Sequence, residues 1–464
     1  MCDQCQDAQM NRQAGEQGRR SSQGVSRRSF LAGAASLGAI TALGTLAGCS
    51  TEDAGGTNAD NSEAPAATTP SWQPETWDHE ADIVVVGCGT AGSAASIQAA
   101  DDGLDVLRIE KMDWEGGCGR RSGGGVFGGP TRVQKDLGFE DNADLVYEYL
   151  VTVGEGQEVA ERDWDLVDHD LIRVFADNCG ATIDWLLDLG LDMNWEYNNG
   201  YVVVMPGMEP IMADGDEHPL LEGSMGYGLV GQYAALNQSD AYGIAFIPRT
   251  HVPNPAPGYE GPQTMASGFN GGWPGGTGLW KPLEEAIASR NLATLYSTSL
   301  VELIVSPDKE VVGVKATDLA SGKDVSIKAK KGVVLSTDGY FTNEYLLRHY
   351  TYSRFVDPGF TGAWEGAHDG EGTIAAMAAG AGLQNMYFPG NTESMDGGLH
   401  VDREMKVLDV FGNPIPRLYA AGLVISGLKN TAGGGTQACG VHNGFALTTG
   451  RLAADSIAKL SAWE

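Results

Sequence analysis

Basic residues are scarce in this chain. Lys and Arg total 30 against 61 Asp and Glu in 464 residues, a formal charge of −31 at pH 7. Such a chain repels a phosphate backbone, which excludes nucleic acid as a partner. Long apolar runs are scarce too. One run, residues 30–48, is diluted by Gly, Ala, Ser and Thr and makes a poor permanent membrane span. No other stretch of about 18 apolar residues occurs. Cysteines number seven. Cys2-x-x-Cys5 is followed by Gln6 rather than His, so it is no c-type haem site. Cys88, Cys118, Cys179 and Cys439 lie too far apart to show a zinc or iron–sulfur spacing. The glycines, 65 in all, follow no triplet repeat, which excludes collagen. A hydrophobic content of 42% excludes whole-chain disorder. The glycine excess therefore serves tight turns and close backbone approach.

The few bases are unevenly placed. Residues 1–49 hold Arg12, Arg19, Arg20, Arg27 and Arg28 with only Asp3, Asp7 and Glu16. The remaining chain thus has 30 − 5 = 25 bases and 61 − 3 = 58 acids, a charge of −33. A basic stretch ahead of an apolar run is the layout of an export signal. Residues 26–31, SRRSFL, resemble a twin-arginine signal, which implies the twin-arginine export machinery as a partner. Residues 46–49, LAGC, resemble a lipoprotein cleavage box in which Cys49 receives lipid. Residues 50–70 contain no large apolar side chain and read as a solvated tether. The expected layout is a signal with a lipid box at 1–49 and a disordered linker at 50–78. An exported protein held at a membrane by its N-terminal lipid follows.

A nucleotide fingerprint opens the body. Asp82-Ile-Val-Val-Val86 is a short β-branched run of the kind a buried parallel strand needs. Gly87-Cys-Gly89-Thr90-Ala91-Gly92 follows at once, then an Ala-rich helical pattern, then a second strand at 104–109 ending in Glu110. Gly87 permits the tight turn, Gly89 lets backbone approach a pyrophosphate, and Gly92 lets the helix pack on the sheet. The helix N-terminus offers N–H groups and partial positive charge to phosphates. Glu110, 110 − 92 = 18 residues beyond Gly92, is placed to accept hydrogen bonds from ribose hydroxyls.

Glu110-Lys111 is followed by Gly116-Gly117-Cys118-Gly119-Arg120-Arg121-Ser122-Gly123-Gly124-Gly125. This segment resembles the E-K…G-G-N-x…S-G-G segment of the fumarate reductase and succinate dehydrogenase flavoprotein family. The resemblance continues in order: residues 175–194, 275–286, 298–304 with 312–314, 332–343 (A-T-G-G-F, with Asp338 for a Gly), 368–372 (G-D-G), 418–422 (L-Y-A-A-G) and 433–454. It implies an α/β fold: a Rossmann-like, glutathione-reductase-type FAD-binding domain at 79–140 and 275–464, interrupted by an α+β cap at 141–274. It also implies bound FAD and hydride transfer at the flavin N5. The cofactor contacts it implies are Gly87, Gly89, Thr90, Ala91, Gly92, Glu110, Lys111, Gly117, Cys118, Ser122, Gly123, Gly124, Val301, Thr337, Asp338, Gly339, Asp369, Gly422, Thr436, Gln437 and Ala438. Glycines 433–435 would turn the N-terminus of a closing helix toward the flavin pyrimidine edge and stabilise negative charge there. Leu423 stands where the family usually has a Glu, which puts a ribityl contact there in doubt.

Catalytic groups of the family's dicarboxylate enzymes are missing. Trp273 and Gly433 stand where those enzymes carry Arg, and residues 394–396, Ser-Met-Asp, stand where they carry His. Fumarate and succinate are therefore not expected as substrates, and the negative charge gives no field to attract them. What remains near the expected pocket is Arg249, His251 and Tyr387, with further aromatics such as Tyr227, Tyr242, Tyr259 and Trp273. Aromatic walls suit a flat, largely apolar small molecule, and an Arg or Tyr can deliver a proton α to a carbonyl. The expected function is reduction of an activated C=C bond with electrons from a membrane cytochrome or quinol-linked donor. Two other readings stay open. One is Δ1-ketosteroid-dehydrogenase-like chemistry, because residues 432–435, Ala-Gly-Gly-Gly, resemble that group's P-G-A-G turn. The other is a non-catalytic flavin lipoprotein that transfers electrons or binds a ligand. No metal site is expected.

Overall fold

In the computed structural model, the residues described are 72–136, 140–155, 168–193, 249–251, 253, 256, 275–340, 342–350, 368–386, 397–425 and 440–463. They lie within one unit of the chain, residues 67–464.

The run Ile83-Val84-Val85-Val86 has no polar side chain to show to water, so it goes to the centre of a sheet. It forms most of β1 (His79–Val86), and its side chains are buried. The glycine turn leads into α1 (Thr90–Asp101), whose Ala and Ser side chains let it lie close to its neighbours, then into β2 (Val106–Ile109). The short α2 (Gly117–Arg121), β3 (Val126–Phe127) and α3 (Arg132–Asp136) follow. Two longer helices come next, α4 (Ala143–Glu155) and α5 (His169–Asp188). Asp168 caps α5 by accepting the Leu171 N–H at 2.9 Å. The chain continues through β4 (Thr250–His251), α6 (Gly275–Ser289), β5 (Ala293–Leu295), β6 (Thr298–Val305), β7 (Val311–Asp318) and β8 (Lys323–Leu335). It ends with α7 (Glu344–Tyr350), α8 (Glu371–Ala378), β9 (Leu383–Gln384), β10 (Gly398–Leu399), β11 (Lys406–Leu408), β12 (Pro414–Ala420) and α9 (Val441–Ala458).

The main sheet runs β11-β12-β8-β1-β2-β5, with β7 and then β6 added along β8. Strands β12, β8, β1, β2 and β5 are parallel, so they end at one edge. β8 is long enough to serve two purposes. Its first half carries the antiparallel β6–β7 pair, and its second half lies between β1 and β12. This is an α/β fold with the sheet covered on both faces, as a parallel sheet requires.

α1 and α9 pack side by side on small residues: a Cβ at Gly450 would lie 2.2 Å from the Ala91 carbonyl oxygen. α5 joins the same core. Phe175 lies 6.3 Å from the Phe127 ring and 5.7 Å from Phe445 of α9. The sequence boundary at residue 141 would place α4 and α5 in the cap; their buried apolar residues belong to one cluster with those of β1 and α9. Most of the expected cap, residues 194–248 above all, lies outside the described residues.

Candidate cofactor and active site

The parallel strands deliver their following loops to one edge, and ligands of open α/β sheets bind outside that edge. There the glycine turn is held from below. Ser336, just past β8, donates its hydroxyl to the carbonyls of Val86 at 2.9 Å and Gly87 at 2.8 Å. Gly87 has φ +94°, and a Cβ on it would lie 2.5 Å from the Ser336 carbonyl oxygen. A Cβ on Gly92 would lie 1.9 Å from the Gly87 carbonyl oxygen, so the helix could not start so close to the strand. Gly89 differs: a Cβ there would meet nothing within 4 Å. Its backbone faces open space at the N-terminus of α1, where N–H groups and the helix dipole favour phosphate.

The second loop leans on the first. Glu110 accepts the Cys88 N–H at 2.8 Å and the Met112 N–H at 2.9 Å, tying the end of β2 to the turn. Burial pushes its carboxyl up, against the pull of those two donors. Gly116 N–H donates to Cys88 at 2.9 Å, and α2 then presses its Gly119 against Thr90. Ser122, Gly123 and Gly124 carry the chain past the start of α6: Gly276 N–H donates to the Ser122 carbonyl at 3.0 Å. Asn443 of α9 donates to Ser122 Oγ at 3.2 Å and to the Gly125 carbonyl at 2.9 Å.

Lys111 sits between two carboxylates. It pairs with Asp369 and lies 2.7 Å from Glu371, which also accepts the Ser299 hydroxyl at 2.5 Å. Burial works against its charge, but the two carboxylates outweigh burial and hold the ammonium above its ordinary range. Val301 lies two residues along β6 from Ser299. The β6–β7 register shifts between Leu300 and Glu302, so Val301 sits at a bulge and is 49% exposed. Thr337, Asp338 and Gly339 follow Ser336, and Gly422 follows β12 with its Cα side turned to Ala91. The expected cofactor contacts among the described residues therefore gather at one edge. Glu371, Ser299 and Ser336 were missed by sequence reasoning. Glu371 carried a signal, an acid two residues past Asp369 in the 368–372 segment. The two serines carried none.

Thr436, Gln437, Ala438, Tyr387, Cys49, Trp273, Gly433 and the aromatic residues at 227, 242 and 259 lie outside the described residues. The closing helix begins at Val441, with Gly440 at φ +78° as its cap; glycines 433–435 lie outside the described residues.

Arg249 and His251 are placed differently from the expectation that they line a substrate pocket. Arg249 is 3% exposed and spans both carboxylate oxygens of buried Asp141, at 2.8 and 2.7 Å. A guanidinium committed in that way is no longer available to a substrate. His251 is fully buried, with Nε2 3.0 Å from Thr131 Oγ1 and Nδ1 3.0 Å from the Arg249 carbonyl. Burial pulls its pKa down to about 4, so it is neutral and structural at pH 7.

Residues 82–389 match the model of the FAD binding domain family, more than half of the chain. The chain belongs to that family, and FAD is its cofactor. It is similar to a 3-oxosteroid 1-dehydrogenase of Mycolicibacterium smegmatis, 28% identical over 66% of this chain and 55% of that one. It is also similar to an NADH:fumarate oxidoreductase of Klebsiella pneumoniae, 27% identical over 66% of this chain and 25% of that one. The chain thus spans about half the length of the first relative and a quarter of the second. Among solved structures, the 3-ketosteroid-Δ4-(5α)-dehydrogenase of Rhodococcus jostii RHA1 matches with TM-score 0.62 at 23% identity. That match covers 84% of this chain and 99% of the other. The site fits FAD on its own geometry: open backbone at Gly89, a helix N-terminus, and an acid at the end of β2.

Two outcomes follow. Glu110→Ala removes both the ribose acceptor and the tie between the two loops. Its FAD dissociation constant should rise at least about tenfold, since a hydrogen bond to a charged group is worth about 1.5–3 kcal/mol; flavin fluorescence on titration measures it. Unchanged affinity would remove Glu110 from the site. The second concerns acid stability. The unfolded imidazole titrates in its ordinary range near 6.5 and the folded one at about 4, so the stability is present above 6.5 and lost as pH falls through 4. The loss should approach about 3 kcal/mol. Urea unfolding at pH 7 and pH 4.5 should show a smaller acid loss for His251→Gln than for the parent chain.

Proposed function

We propose that this chain is an exported FAD enzyme that reduces an activated C=C bond of a small, largely apolar or aromatic substrate. FAD, when bound, supplies hydride transfer at N5. The commitment of Arg249 to Asp141 carries the reading. Arg249, a basic side chain expected at the pocket, is bound to a buried partner, and the sequence has Trp273, Gly433 and 394–396 where dicarboxylate enzymes place Arg and His. A dianion brought to such a site would lose its hydration with little return. An uncharged enone loses less, and its carbonyl needs a single hydrogen-bond donor.

The protein's own contributions are positional. The glycine turn and α1 hold the cofactor phosphates, Glu110 holds the ribose, and the β6 bulge at Val301 offers exposed apolar surface. The start of α9, fixed to Ser122 and Gly125 by Asn443, directs backbone N–H groups at the same edge. Tyr387 is the remaining proposed proton donor. Electrons come from a membrane cytochrome or quinol-linked donor.

A second reading, dehydrogenation of a 3-oxosteroid, is favoured by the M. smegmatis and R. jostii matches. Anaerobic stopped-flow of the viologen-reduced protein separates the readings. The proposal expects rapid reoxidation by non-steroidal enones and not by fumarate. Rapid reoxidation by fumarate overturns it. Oxidation of a 3-oxosteroid with an artificial acceptor, without enone reduction, establishes the second reading. No reaction with any acceptor leaves a flavin carrier.

Export and anchoring rest on Arg27-Arg28 and Cys49 in the leader. No described helix is long and apolar enough to cross a membrane. In cells fed a labelled fatty acid, the full chain should become labelled and Cys49→Ala should not. Equal labelling of both would rule out the lipid anchor.

A further inference from the structure

Three side chains from three separate segments meet at the cofactor edge; Cys118 and Asp338 were expected there as cofactor contacts, but their chemistry with His368 was not. Cys118 lies in α2, Asp338 in the loop after β8, and His368 just before α8. Their donor atoms all lie within 4.8 Å of one another. They are also in order. Asp338 Oδ2 is 3.5 Å from His368 Nδ1, and Cys118 Sγ is 3.6 Å from His368 Nε2. One ring nitrogen faces the carboxylate and the other faces the thiol, the arrangement in which a histidine keeps a sulfur nucleophile ionised. Asp338 is fixed for this task. It holds φ +65°, and its Oδ1 accepts the Gly339 N–H at 2.8 Å.

We propose that Cys118 is a modification site: a thiolate held by the His368 imidazolium that reacts with hydroperoxides. Arg121 and protonated His368 bring positive charge to the thiol, while Asp338 brings negative charge. Arg121 and Cys118 are near enough for their charges to interact. Burial works against the His368 cation, but Asp338 outweighs burial and holds it above the ordinary imidazole range. Asp338 is held below the ordinary carboxylate range by His368, by the Gly339 N–H and by a hydrogen bond from Cys118, in spite of its own burial, so the carboxylate also opposes loss of the Cys118 proton and His368 and Arg121 must outweigh it. Two further titratable groups bear on the cluster. Asp369 adds negative charge near His368, and His442 of α9, pulled down to about 4 by burial, adds none at neutral pH. Cys118 is partly exposed, whereas Cys88 and Cys179 are buried, which pushes both thiols up.

In the reaction the thiolate sulfur attacks the hydroxyl oxygen of ROOH. An S–O bond forms and the O–O bond breaks. Sulfur is oxidised to the sulfenic acid, the peroxide is reduced, and the departing alkoxide or hydroxide takes the proton from His368. The product is Cys–SOH and ROH; a small thiol condenses with the sulfenic acid to a mixed disulfide and water, and a further thiol exchanges with that disulfide to release Cys118. Because α2 packs against the turn at Gly89 and Thr90, the modification falls on the wall of the cofactor cradle.

The test uses the full chain as purified with its FAD. It is treated with iodoacetamide from pH 6 to 9 and mapped by peptide mass spectrometry, with Cys88 and Cys179 as internal references. Cys118 should be alkylated at pH 6.5 at least about tenfold faster than in His368→Gln, with a rate that levels off below pH 8. Hydrogen peroxide followed by dimedone should tag Cys118 alone of the three. Asp338→Asn serves where His368→Gln fails to fold, and should slow alkylation in the same direction. A Cys118 rate that climbs through pH 8.5 as for an ordinary thiol overturns the proposal. So does absence of the dimedone adduct. Zinc bound one per chain, protecting Cys118 until a chelator removes it, also overturns the proposal and makes the cluster a metal site.

Discussion

The structure depends on how closely the glycine turn after β1 approaches the end of β8. Ser336 spends its hydroxyl on the carbonyls of Val86 and Gly87, and no side chain fits at Gly87 or Gly92. That contact brings the N-terminus of α1 directly over the strand ends. Its effects continue outward. With α1 so low, α9 can lie against it only through small residues, and Gly450 meets the Ala91 carbonyl. With α9 placed, Asn443 reaches Ser122 and Gly125, and the loop carrying Cys118 is held against the turn. Steric exclusion of a few methyl groups thus sets the geometry of three loops that are distant in sequence.

Buried charge is handled in pairs, and the pairs show which bases have a structural task. Arg108 is fully buried in β2, 2.6 Å from Glu115, and also donates to Thr294 at 3.0 Å. Arg249 is treated the same way by Asp141. An ion inside a protein costs several kcal/mol unless its partners are well placed, so such a guanidinium cannot also move to meet a ligand. In a chain so short of bases, each Arg spent inward narrows what the cleft can attract. The acidity seen in composition and the burial of Arg249 therefore support the same part of the proposal, its preference for uncharged substrates.

Much of this was legible in the sequence, for identifiable reasons. β1, the glycine turn and Glu110 follow from local pattern, because the turn needs glycine at fixed offsets and a buried strand needs a continuous apolar run. The strand pair β6–β7 and the end of β8 were found by resemblance rather than by periodicity. Side-chain partners across long separations were not legible. Nothing within ten residues of Arg249 announces Asp141, 108 positions earlier in the chain. His251 fails for the same reason: a histidine two residues from an arginine reads as chemistry until its burial is known. That α5 shares the core of the FAD domain was not legible either, because an amphipathic helix does not say by its periodicity which layer receives the apolar face.

Two kinds of polar cluster meet at the cofactor edge, and their difference is physical. Lys111 lies between Asp369 and Glu371, a group with more acid than base, exposed enough for water to spread the excess. In the second cluster His368 is the enclosed member, its side chain 5% exposed against 22% for Lys111, and there an unbalanced charge has less water to screen it. Enclosure is what separates them. Outside, the carboxylates simply hold a lysine in place. Inside, the positive charge of His368 and Arg121 favours loss of the proton from Cys118 beside them. A histidine oriented by a carboxylate is a common structural motif when its far nitrogen meets a hydroxyl or a carbonyl. Here it meets sulfur, whose proton leaves more readily than either, and the same geometry therefore has a chemical consequence.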